Sequence, residues 1–337
     1  MKAAIVTQYN KNDLTLKMTT VDKPQITADQ VLLKVSAAGV NPLDNMITRG
    51  EVKLIVPYKL PVIGGNEVVG KIEAVGANVT QFSVGERVFS RLPLDSIGAF
   101  AQYVAVDANA IAKVPPYLSD VQAAAIPLTA LTVMQAFELM QVKKGNTIFI
   151  SGGTGGVGAM AITLAKAKGL KVITNGSVEN KERVLALGAD RFIDYKTEDY
   201  TQTVANVDYV LDTLGGQETE KQMTIMKKGG QLVSLKGIPN GAFAKRMGFT
   251  GLKRLLFSFA GRKFDKMAQK YGVTYNFIFV QANGAQLTEV AKLFTKLELK
   301  PSLDTVYAFS DVNAALDKVA NGRSRGKTVL DLQQGEK

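Results

Sequence analysis

Gly153-x-Gly155-x-x-Gly158 stands directly behind the apolar run Thr147 to Ile150 and opens a segment, Gly156 to Lys168, with the residue types of a helix. Glycine at these places allows a tight turn, lets a pyrophosphate approach the backbone, and lets the helix lie close on the strand. The first turn of that helix offers unpaired N–H groups to phosphate oxygens. The glycine spacing is weak alone, and it gains meaning from the strand before it, the helix behind it and five further strand-helix repeats around it. Gly153, Thr154, Gly155, Gly156, Val157 and Gly158 are therefore read as the cradle of a dinucleotide pyrophosphate.

A reader of NAD places Asp or Glu at the end of the next strand, about 20 residues on, to bond the ribose 2'-hydroxyl. Here that place holds Thr174-Asn175-Gly176-Ser177, with Lys181 and Arg183 just beyond and Glu179 among them. An uncharged strand end beside cations accepts a 2'-phosphate, so the expected cofactor is NADP(H) rather than NAD(H).

Among the 337 residues there is no Cys, no His and no Trp. Disulfides, thiolate nucleophiles, imidazole acid-base chemistry and Cys- or His-ligated metals are excluded, and no metal is expected. The 41 basic residues outnumber the 30 acidic ones, for a net charge of +11. Such a charge favours anionic partners in general. No aromatic-stacking RNA motif accompanies it, so no specific nucleic acid is expected. The start MKAAIVTQYNKNDLTL lacks the uninterrupted apolar core of a signal peptide, and the expected location is cytoplasmic.

The elements that must position these residues fall into an α/β pattern. Up to about Tyr117 short strands alternate with glycine turns, with one short helix at Pro42 to Arg49. At Ser119-Asp120-Val121-Gln122 a capping box opens helical sequence, after which strands and helices alternate. Runs at 147–150, 172–174, 191–194, 209–211, 231–235 and 275–280 are apolar enough to be buried on both faces. They predict a doubly wound, parallel, six-stranded sheet of the Rossmann type over 119–283. The uncharged stretches Val121 to Phe137 and Gly145 to Ala165 read as buried parts of that α/β core, not as spans. Residues 284–337 have no place in a finished six-stranded sheet and are expected to return to the β-rich domain of 1–118, with the active site in the cleft between the two.

These residues resemble the medium-chain dehydrogenase/reductase superfamily, in its zinc-free quinone oxidoreductase and enone or alkenal reductase branch. The resemblance rests on Ala38-Gly39-Val40-Asn41-Pro42-Leu43-Asp44, on Pro61 to Gly70, on Val84-Gly85-Glu86-Arg87-Val88, on the glycine loop, on Leu187-Gly188-Ala189-Asp190, on Asp212-Thr213-Leu214-Gly215-Gly216 and on Arg325-Gly326-Lys327. It implies a GroES-like catalytic domain beside the Rossmann domain, a homodimer, and hydride transfer from NADPH to a quinone or to the C=C bond of an α,β-unsaturated carbonyl. Zinc-dependent members are similar but carry Cys near Asn41 and His at Asn66. By the same resemblance Asn41, Thr132 and Asp212 lie near the nicotinamide, and Ser177, Lys181, Tyr195 and Arg325 surround the 2'-phosphate. The family's phosphate-binding lysine falls at Asn180, so Lys181 must reach from one position later. Tyr58 and Lys59 are the matched polar residues near the substrate mouth, as oxyanion donor or proton source, with solvent as the alternative acid. Two other functions stay open: a 2-enoyl thioester reductase, and an NADPH-binding protein whose basic surface engages RNA or membranes.

One segment lies outside that frame. Residues 245–270 carry eight bases against the single acid Asp265, and Leu252, Leu255, Leu256 and Phe259 recur at helical spacing. A lid, a dimer contact or a helix on a membrane surface fits that pattern, and packing of the apolar face against the protein itself is the expected outcome.

Overall fold

Strand β3 (Gln30–Val40) is the spine of the N-terminal part, and ten of its eleven residues are at least half-buried because it is paired on both edges. Before it come β1 (Lys2–Val6) and β2 (Lys17–Thr20), and after it β4 (Val62–Ile63), β5 (Glu67–Val75), β6 (Arg87–Arg91), β7 (Tyr103–Asp107) and β8 (Ile111–Lys113). β1 lies between β2 and β4 in a small antiparallel sheet. The computed structural model describes residues 1–322 and 324–334.

The alternation of strand and helix then builds a wholly parallel sheet from β9 (Thr147–Ile150), β10 (Lys171–Gly176), β11 (Arg191–Asp194), β12 (Val207–Asp212), β13 (Met226–Ser234) and β14 (Thr274–Phe277). Its order, β11-β10-β9-β12-β13-β14, reverses direction at β9. In an open α/β sheet the carboxyl ends on either side of that reversal frame the ligand crevice.

The two C-terminal strands join the β-rich unit. β15 (Leu303–Ala308) and β16 (Lys327–Asp331) extend its main sheet in the order β15-β16-β3-β5-β6-β8, with β7 also on β3. Val31, Leu33, Val35, Val68, Ile72, Val88, Phe100 and Leu330 fill the core beneath.

The chain separates into one unit of Met1–Leu131 with Gln281–Lys337 and one of Thr132–Val280. Residues 119–131, placed by sequence with the nucleotide-binding half, fall in the first unit. There the Leu128 N–H donates to the buried Glu67 carboxylate at 2.7 Å, and the capping box of Ser119 with Gln122 starts helix Asp120–Ala123 against β3 and β5.

Candidate active site

The glycine loop owes its shape to contacts that only glycine permits. Gly152 has φ +65°, and its N–H donates to the Asn175 side chain at 2.8 Å. A Cβ on Gly158 would lie 2.6 Å from the Gly153 Cα, so helix Gly156–Ala167 can sit against the end of β9 only with glycine there. A Cβ on Gly153 would run into Thr174 of β10 and come 3.0 Å from Ile162. Gly155, the N-cap, differs: a Cβ there would meet only the Gly152 carbonyl, at 3.7 Å. Over Gly155 the protein leaves room, and the first-turn N–H groups of the helix face it without a side-chain cap. That is the shape a pyrophosphate needs, so the loop fits a dinucleotide. Arg183 donates to the Thr154 carbonyl at 2.7 Å and braces the loop, which takes it out of the set of simple surface cations.

A cleft of about 760 Å3 runs from this loop along the carboxyl ends of the strands, lined by Gly152, Thr154, Gly176, Tyr195, Lys196 and Leu214 among others. Of the residues read by resemblance as 2'-phosphate contacts, Tyr195 is in the lining. Ser177 is half-buried and accepts from the Asn180 side chain at 3.1 Å. Lys181 is exposed and outside the cleft lining, and Arg325 is an exposed residue of the other unit, its N–H bonded to Asp304 at 3.0 Å. Sequence reading passed over Lys196, which lies in the cleft and reaches Glu179 at 3.4 Å. The Glu179 carboxyl is held below its ordinary range by its own backbone N–H, then by Ser177 and Lys196.

Asp212 ends β12 as a fully buried hub. Its carboxylate accepts from the Leu214 and Gly215 N–H groups and from the side chains of Thr219, Gln222 and Ser234, at 2.7–3.2 Å. Through these bonds Asp212 holds the turn after β12. Thr132 is buried in helix Pro127–Met140.

In the β-rich unit a second group of polar residues is buried together. Asn41 caps helix Pro42–Arg49, and both its amide hydrogens are spent, on the Gly39 carbonyl at 3.2 Å and on Glu67 at 3.1 Å. Its Oδ1 accepts from Lys327 at 2.5 Å, and Lys327 also pairs with Glu67. Asn41 thus joins a buried ion pair.

Next to it Asp44 accepts from the Asn41 N–H and the Asn66 side chain, each at 2.7 Å. Burial pushes its carboxyl up to about 6, against the pull of Asn66, the Asn41 N–H and the Lys327 charge.

Arg91, at the end of β6, is fully buried. One nitrogen donates to the Leu92 carbonyl, while its Nε and Nη2, like the Asn66 Oδ1, have no hydrogen-bond partner among the described residues. Burial lowers the guanidinium to about 10, against the field of Tyr58, Asp44 and Glu67, so it stays charged at neutral pH. Burial likewise pushes the Tyr58 phenol up to about 12, and Arg91 is the charge that opposes it. Tyr58 is half-buried and its carbonyl accepts from the Tyr9 hydroxyl at 2.9 Å. Lys59 points to solvent.

Zinc does not fit this group, since the chain offers no Cys or His and the Asn41 amide is committed to Glu67 and Lys327. Arg91, like Lys196, escaped sequence reading, because an arginine closing a five-residue strand reads as a solvated strand end.

Two family models match: an alcohol dehydrogenase GroES-like domain over residues 27–116 and a zinc-binding dehydrogenase over residues 187–330. The chain is similar to the mitochondrial NAD(P)H oxidoreductase RTN4IP1 of Danio rerio, 30% identical over all of this chain and 92% of the relative. It is also 30% identical to a 2-methylene-furan-3-one reductase of Solanum lycopersicum, over 98% of this chain and 79% of that protein. A quinone oxidoreductase from Coxiella burnetii superposes with a TM-score of 0.83 at 28% identity, over 98% of this chain and 99% of that one. With its GroES-like sheet, its six-stranded parallel sheet and relatives along its whole length, the chain belongs to the medium-chain dehydrogenase/reductase family of NAD(P)H oxidoreductases.

Proposed function

We propose that the chain uses NADPH to reduce quinones or the conjugated C=C bond of α,β-unsaturated carbonyls, without a metal. The observation that carries the cofactor is the glycine cradle at the reversal of the sheet, beside a strand end with no carboxylate and a cleft that holds Tyr195 and Lys196. The substrate class is supported by two similar proteins, a quinone oxidoreductase and a reductase of a 2-methylene-furan-3-one, which is an exocyclic enone.

When bound, the reduced nicotinamide supplies a hydride, and one proton from Tyr58 or solvent completes the two-electron reduction of enone to saturated carbonyl or of quinone to hydroquinone, leaving NADP+. The residues of this chain bind and polarise. The loop N–H groups hold the pyrophosphate, and Lys196 with Tyr195 takes the 2'-phosphate. Tyr58, protonated at neutral pH, donates to the acceptor's oxygen as negative charge develops there. Arg91 supports it, since the field of this buried cation reaches the phenol and favours negative charge at that end of the substrate.

Oxidation of NADPH and of NADH should be followed against quinones, 2-alkenals, enones and 2-enoyl thioesters. We expect turnover with quinones or enones and a higher kcat/KM for NADPH. Turnover of thioesters alone would replace this substrate class, and equal kcat/KM for the two cofactors would remove the NADP assignment.

A further inference from the structure

Between β13 and β14 the chain inserts helices Gly241–Arg246 and Gly251–Tyr271. The longer one is fixed in rotation by its inner face. Phe257, Gly261, Phe264 and Ala268 are buried. Phe264 stacks on Tyr275 at 5.0 Å, and Phe257 meets Phe243 edge-on at 5.8 Å. Gly261 lies so close to Pro239 and Asn240 that a Cβ would come within 2.9 Å of the Pro239 carbonyl. Asn240 also donates to Asp265, the one acid of the helix, at 2.7 Å.

With that face pinned, the residues about half a turn away must face out. Leu252 is 83% exposed, Leu255 67%, Leu256 46% and Phe259 77%. This overturns the expectation that the stripe packs on the protein. Beyond it on the same outward side, over the next two turns, come Arg262, Lys263 and Lys266, all exposed. Lys270 follows, shared with Tyr271 and Glu220. The outward face is therefore divided along the axis: an apolar half about 10 Å long, then a basic half of similar length.

We infer that this face of helix Gly251–Tyr271 docks the protein on an anionic lipid surface, independently of which acceptor the enzyme reduces. The apolar half takes the place of lipid at the headgroup boundary, and Arg262, Lys263 and Lys266 meet lipid phosphates. The division of the face selects this occupant over a second copy of the chain. Antiparallel pairing of two such helices sets leucines against bases, and parallel pairing sets bases against bases. Neither arrangement, nor a staggered one that matches only the apolar halves, supplies an acid to the exposed Arg262, Lys263 and Lys266. A bilayer bearing negative headgroups satisfies both halves at once.

The protein should be sedimented with phosphatidylglycerol-containing vesicles and with pure phosphatidylcholine vesicles, at low and high salt. Binding is expected to the anionic vesicles and to fall with salt. Leu255→Ser with Phe259→Ser, and separately Lys263→Glu with Lys266→Glu, should each lower the partition coefficient by at least about tenfold. Both pairs are exposed, so thermal stability and turnover of a water-soluble acceptor should be unchanged. Equal binding to neutral vesicles, no binding to either, or binding that survives both pairs of substitutions would overturn the inference. So would a concentration-dependent dimer in sedimentation velocity that Phe259→Ser abolishes, because the face would then belong to a second copy.

Discussion

Lys327 and Glu67 form an ion pair in the interior of the β-rich unit, 260 residues apart in sequence, and both are buried. The pair joins β16, delivered by the end of the chain, to β5, with Asn41 bonded to both partners. It explains why the C-terminal residues belong to the N-terminal fold. It also explains why Gly39 has no side chain, since a Cβ there would stand 2.8 Å from the Glu67 carboxyl carbon.

Removing one charge of this pair leaves the other buried and unpaired, at a cost of roughly 3–5 kcal/mol. Lys327→Met should therefore lower the guanidinium midpoint strongly. Glu67→Gln combined with Lys327→Met, which leaves no charge to strand, should be distinctly more stable than Lys327→Met alone. Equilibrium unfolding of the two variants beside the parent decides it. Equal loss in both would mean that packing, rather than charge, dominates there.

The glycine loop separates structural glycines from a ligand-facing one. Gly158→Ala puts a methyl into the loop backbone and should cost both stability and dinucleotide affinity, because the helix must move off β9. Gly155→Ala meets nothing nearer than 3.7 Å in the protein. It should keep the parental unfolding midpoint and lose dinucleotide affinity by an order of magnitude or more, since the methyl occupies the space read as the pyrophosphate site. Fluorescence titration of NADPH alongside thermal unfolding measures both effects.

What the sequence made legible follows from period and punctuation. The six parallel strands are apolar runs closed by glycines, and the capping box at Ser119 marks a real helix start. β2, Lys17–Thr20, and the two-residue β4 carry no such run, being short and largely on the surface, and were not legible. Side-chain roles were harder to read, because they depend on partners far along the chain. The partners of Asn41 and Asp212, among them Lys327, Glu67, Thr219 and Ser234, are marked by no local pattern in the sequence. Lys196 and Arg91 went unnoticed for the same reason, since nothing local marks one as lining a cleft or the other as buried.

Asp44 gives a pH dependence with a definite sign. Its carboxyl titrates near 6 in the folded protein and near 3.8 when unfolded, so between those values the folded state holds a proton that the unfolded state has lost. Stability from this group is full below about pH 4 and declines as pH rises to about 6, by up to about 3 kcal/mol. Surface carboxylates held low by lysines work in the opposite direction, so the test is a difference. Asp44→Asn should lose less stability than the parent between pH 4 and 6.5, read from urea midpoints at each pH. Parallel curves for the two proteins would refute a raised Asp44.

Tyr58 and Arg91 divide the work proposed at the substrate oxygen, and their variants should fail differently. Tyr58→Phe removes a donor to a developing oxyanion, and kcat is expected to fall about 100-fold or more with little change in the KM for NADPH. Arg91 is proposed to act through Tyr58, and two of its guanidinium nitrogens have no hydrogen-bond partner among the described residues. Arg91→Lys keeps the charge and should retain much of the activity. Arg91→Met loses the charge without leaving a buried cation, so it should fold well yet lower kcat towards the Tyr58→Phe level. Combining Tyr58→Phe with Arg91→Met should then cost little more than either alone, because two residues acting on one oxygen are not additive. If Arg91→Met retains full kcat while unfolding at lower temperature, the arginine is structural and the oxygen is stabilised elsewhere.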